Sequence, residues 1–91
     1  MNKKNDVEVI INGKRYVLCG YESDEYLQKI ASYLNNKHQE LKDQEYYNSL
    51  DTDMRNVLLN INIADDYFKA IDYIHEMEKE KDGYNDDLFD M

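Results

Sequence analysis

Val7-Glu8-Val9-Ile10-Ile11-Asn12-Gly13-Lys14-Arg15-Tyr16-Val17-Leu18-Cys19 places two β-branched, aliphatic and aromatic runs around one Asn-Gly pair. That dipeptide best tolerates the positive φ angles of a tight two-residue turn, so the stretch predicts a β-hairpin over 7–19. Side chains alternate along a strand, which puts Val7, Val9 and Ile11 on one face and Ile10 on the other. A lone two-stranded ribbon is marginal in water, so this one must pack on a helix or pair with another sheet.

After the hairpin the hydrophobic period changes. Ser23 suits an N-cap, and Asp24 and Glu25 place negative charge in the first turn, where the helix dipole favours it. At about 100° per residue, Leu27, Ile30, Ala31, Leu34, His38 and Leu41 fall within an arc of roughly 100°, flanked by Tyr26 and Tyr33. This predicts an amphipathic helix over about 24–43. The KDQEYYNS run from Lys42 to Ser49 loses the period and holds a turn. A second helix then opens with Asp51 or Thr52 as N-cap and Asp53 in the first turn. The next breaker is Gly83, so this helix can run for about 30 residues, or roughly 45 Å.

The fold class is therefore α+β: a small head over 1–50 with a hairpin and one helix, then a long helix over 51–82 that dimerises as a short coiled coil. An acidic tail over 83–91 reads as disordered, its Leu88-Phe89 pair included. Along the second helix, Val57, Ile61, Ala64, Phe68 and Ile71 repeat with 4-3-4-3 spacing. A second stripe, Ile63, Tyr67, Ala70, Ile74 and Met77, runs beside it. The expected dimer interface comprises Val57, Asn60, Ile61, Ala64, Tyr67, Phe68, Ile71, Ile74 and Met77. Taking Val57 as zero, Asn62 falls at about 140° on the polar margin, whereas Asn60 falls at about −60°, inside the apolar arc. Asn60 is expected either to pair across or near the dimer axis, fixing register at some cost in stability, or to cap a backbone group of the head.

Composition narrows the function. A chain of 91 residues fits one small domain, in which a partner subunit adds needed apolar burial. Twenty acidic against eleven basic residues give a formal charge of −9, which repels phosphate backbones and anionic lipid and argues against nucleic-acid and membrane partners. One cysteine and no long apolar run suit a reducing cytoplasm.

No residue set points to catalysis, a metal or a cofactor. His38 and His75 lack ligand spacing, and His38 reads as a packed, singly hydrogen-bonded side chain. Cys19, at a strand end with no histidine-aspartate constellation, reads as a half-buried structural thiol. Asp65 and Asp66 diverge by about 100° on a helix, so they are solvated, with Lys69 placed to pair with Asp65 at i,i+4. The basic residues Lys14, Arg15, Lys37, Lys42 and Arg55 are either solvating charges or a patch that meets an acidic partner.

The order of elements, with Val7-Glu8-Val9-Ile10-Ile11-Asn12-Gly13 and Val57-Leu58-Leu59-Asn60-Ile61-Asn62-Ile63-Ala64-Asp65-Asp66, resembles the ZapA family of bacterial cell-division proteins. Members begin with a V-x-I-x-G hairpin and open their long helix with a run close to V-L-A-A-L-N-I-A-D-E. The resemblance covers about Val7 to Ile74. It implies a non-enzymatic regulator at the midcell division site that binds the tubulin-like GTPase FtsZ and bundles its protofilaments. It also implies a homodimer through the long helices, with tetramers in some members. Two features depart from the pattern: Asn60 stands where the family carries alanine, and only two or three turns of seam follow Ala64 before Gly83. No family motif marks the FtsZ-contacting residues, so the candidate contacts are the five basic residues above. An adaptor for a different cytoplasmic partner is the alternative.

Overall fold

The computed structural model describes residues 3–81, in the order β1 (Asn5–Ile11), β2 (Lys14–Gly20), α1 (Asp24–Lys42), a 3-10 turn (Tyr47–Ser49) and α2 (Thr52–Lys81). The α+β class and the hairpin, helix, long-helix order are as expected. The tail over 83–91 lies outside the described residues.

β1 and β2 pair antiparallel with Ile11 opposite Lys14, Val9 opposite Tyr16 and Val7 opposite Leu18. Asn12 and Gly13 close the turn at φ 53° and 80°, the two consecutive positive values that made Asn-Gly diagnostic. Val7 and Val9 are buried and Ile10 is 57% exposed, as the alternation requires. α1 packs on β1 through Ala31, with Ile11 and Leu27 against the same cluster.

Polar side chains of α1 complete the docking. With Ile11 and Lys14 as the closing pair, the carbonyls of Glu8 and Ile10 point away from β2. Gln28 Nε2 donates to the Glu8 carbonyl at 2.8 Å and Asn35 Nδ2 to the Ile10 carbonyl at 2.8 Å. Asn35 Oδ1 also accepts from the Asn12 backbone N–H at 2.7 Å, so one amide ties the hairpin tip to the helix. These bonds lie at the exposed edge of β1, so each contributes a net stabilisation of only about 0.5–1.5 kcal/mol.

Both helix starts are capped. The Ser23 hydroxyl accepts from the Tyr26 N–H at 3.1 Å, and Asp51, not Thr52, accepts from the Met54 N–H at 2.8 Å. The chain divides into two compact units between Leu59 and Asn60. The first two turns of α2 thus belong to the head unit, beyond the boundary at 50 that the loss of period suggested.

Two expectations need correction. Cys19 is exposed, not half-buried, because it pairs with Asp6 on the face of the hairpin opposite the buried Val7 and Val9, which α1 covers. Lys37 is buried rather than available at the surface: its stem lies along the packed side of α1 and its ammonium reaches Glu40 at 3.0 Å.

Candidate partner-binding surfaces

The basic residues do not form one continuous patch. Arg15 lies across from Ile10 and pairs with Glu8 at 2.9 Å, both side chains being more than half exposed. Lys37 is taken up by Glu40. Arg55 differs from both. Its guanidinium lies over the Tyr47 ring at 4.0 Å from the centroid, and its Nε donates to the Tyr47 carbonyl at 3.2 Å. The 3-10 turn makes this possible by presenting ring and carbonyl to the first turns of α2.

Arg55 lines a cavity of about 170 Å³ with Asn12, His38, Thr52 and Asn56, over a floor that includes Leu41 and Leu59. The hairpin tip, α1 and the start of α2 all contribute. Burial pushes the His38 imidazole below its ordinary value of 6.5, and the positive charge of Lys42 pushes it further down. Both effects disfavour the imidazolium, so His38 is neutral at pH 7. The influence of Lys42 places a second cation near the cavity, and Lys14 follows the turn that supplies Asn12. Spacing had marked Lys14, Lys42 and Arg55 individually. The cavity was missed because its lining comes from four segments of the head.

The second surface belongs to α2. Val57 (48% exposed), Ile61, Phe68, Ile74 and Met77 all stand open, as does Tyr67, with Ile71 half-buried. The Tyr67 and Phe68 rings meet edge to face, 5.2 Å between centroids. Asn60 and Ala64 are exposed beside them. On the polar side, Lys69 pairs with Asp65 at 2.8 Å, the i,i+4 contact expected from spacing. Scattered exposed apolar residues are ordinary, but several aligned along one helix make this stripe a candidate interaction face.

Cys19 sits opposite Asp6 on the outer face of the hairpin. Hydrogen bonding to the Asp6 carboxylate, then desolvation and the carboxylate charge, raise its thiol above the ordinary 9.0. A raised thiol is a poor nucleophile. Among the described residues no cluster of His, Cys, Asp and Glu is arranged to hold a metal ion, and no helix is long and apolar enough to cross a membrane.

Comparison with known proteins gives one consistent result. The family model for cell division protein ZapA matches residues 7–90. A cell division protein ZapA of Halalkalibacterium halodurans is 34% identical over 79 residues, covering 87% of this chain and 85% of the relative. That of Shouchella clausii is 38% identical over 68 residues, covering 75% and 85%. The Geobacillus kaustophilus protein is 32% identical over 88 residues, covering 92% and 94%.

Proposed function

The chain belongs to the ZapA family of cell division proteins, and from that premise we propose that it is a non-enzymatic scaffold that binds FtsZ and cross-links its protofilaments at midcell. The family match across residues 7–90 carries the reading. The exposed stripe of α2 supports the self-association that it needs.

Two copies join through Val57, Asn60, Ile61, Ala64, Tyr67, Phe68, Ile71, Ile74 and Met77 of α2. A homodimer presents each head twice, and a second weak contact made within one filament bundle occurs at a high effective concentration. Modest affinity per head is then enough to align filaments, and no reactive group takes part. Lys14, Arg15, Lys42 and Arg55 are the head cations offered to FtsZ. Lys37 is left out because its ammonium is buried against Glu40.

Sedimentation of FtsZ polymerised with nucleotide, with and without this protein, tests the reading. Co-pelleting together with increased bundling is expected. Unchanged pellets would contradict it, and retention of a different protein from lysate without FtsZ would favour the adaptor alternative.

A further inference from the structure

Arg55 combines a fixed position with unspent donors. Guanidinium carries five N–H donors in a rigid fork, and the Tyr47 carbonyl engages Nε. Stacking on the Tyr47 ring then holds the plane of the fork. Three other cations of this acidic chain meet carboxylates: Arg15 takes Glu8, Lys37 takes Glu40 and Lys69 takes Asp65. Among the described residues Arg55 has no such ion pair, although it is only partly exposed. A pre-oriented fork without an anion, beside hydrogen-bonding side chains in a concave site, matches a carboxylate both in charge and in geometry.

The size of the cavity limits the ligand further. About 170 Å³ is the room of roughly six waters and is well below the volume of sites for drug-sized molecules. A nucleotide does not fit, and the surrounding charge of −9 disfavours polyphosphates. A carboxylate on a short aliphatic stem does fit: the oxygens meet Arg55, Asn56 and Thr52 contribute further polar groups, and the stem rests on Leu41 and Leu59.

We propose that the cavity between the hairpin tip, α1 and the start of α2 is a recognition site for one aspartate or glutamate side chain of a partner protein's acidic segment, anchored by Arg55. This deepens the scaffold reading and rests on it for the partner, but the site itself can be tested alone.

The test is NMR titration of the full labelled chain with an acetylated, amidated glutamyl peptide, its glutamine counterpart and inorganic phosphate. The glutamyl peptide is expected to shift the Arg55 Nε–H and the Asn56 and His38 side-chain signals saturably. The glutamine peptide should leave them still, and Arg55→Lys, which keeps the charge but loses the fork, should weaken binding by about tenfold. Equal shifts from both peptides, or phosphate binding more tightly than the glutamyl peptide, would overturn the assignment. FtsZ co-pelleting that survives Arg55→Gln while no peptide binds removes this site and leaves the scaffold standing. Peptide binding without co-pelleting does the reverse.

Discussion

The head unit up to Leu59 and the stretch of α2 beyond it use similar residues to opposite ends. In the head, Val7, Val9, Ala31 and Leu41 are buried, and the amides of Gln28 and Asn35 satisfy the edge of β1. Beyond Leu59, Ile61, Tyr67, Phe68, Ile74 and Met77 remain open to solvent. An amphipathic helix is stabilised mainly by packing of its apolar face. The head buries a small core of its own, whereas among the described residues beyond Leu59 none is buried, so the distal helix calls for a partner.

The largest effect should come from charging that distal face. Ile61→Glu or Phe68→Glu is expected to give monomers or insoluble protein, because an unpaired charge buried in an interface costs several kcal/mol. A mutant that stays a soluble dimer in sedimentation velocity would remove those residues from the interface. In the head, Val9→Ala should lower stability by about 2 kcal/mol through loss of buried methyls, and Ile10→Ala by less than about 0.5 kcal/mol. Urea unfolding of the pair checks whether one face of the hairpin is the core.

Asn35→Ala should cost about 1–2 kcal/mol by releasing the Ile10 carbonyl and the Asn12 N–H together. An unchanged urea midpoint would mean that water replaces both bonds without loss. For the polar exception on the helix, Asn60→Leu should raise the thermal midpoint by several degrees, corresponding to about 1 kcal/mol, and broaden the oligomer distribution. A lowered midpoint would count against pairing across the axis.

The smallest effect is a pH slope. The folded-state pKa of His38 lies below its unfolded value, so the unfolded chain binds more protons between the two. Its contribution is complete above about 6.5 and is lost as the pH falls through the folded value. His38→Gln should flatten the wild-type decline of stability in that window, and parallel slopes for the two proteins would show that other groups cause it.

Much of this architecture could be read before the structure. Asn12-Gly13 with its flanking alternation defined the hairpin, and Ser23 and the Asp51-Thr52 pair located the helix starts, because these signals act within a few residues. What escaped depends on contacts distant in sequence. Alternation places Leu18 on the same face as Val7, yet α1 lies on β1 and Leu18 stays 39% exposed. A lysine on a helix reads as solvated, but the aliphatic stem of Lys37 is long enough to be covered while its ammonium meets Glu40. The stacked Arg55 depended on Tyr47, in a segment where no period could be found.

The central claim is that the open stripe of α2 is covered by a second copy of the chain. Sedimentation equilibrium of the full-length protein at micromolar concentration tests it most directly. The account predicts a mass of at least twice the 10.9 kDa chain, falling to the single-chain value in any Ile61→Glu protein that remains soluble. A wild-type protein that stays at 10.9 kDa across the concentration range would contradict it.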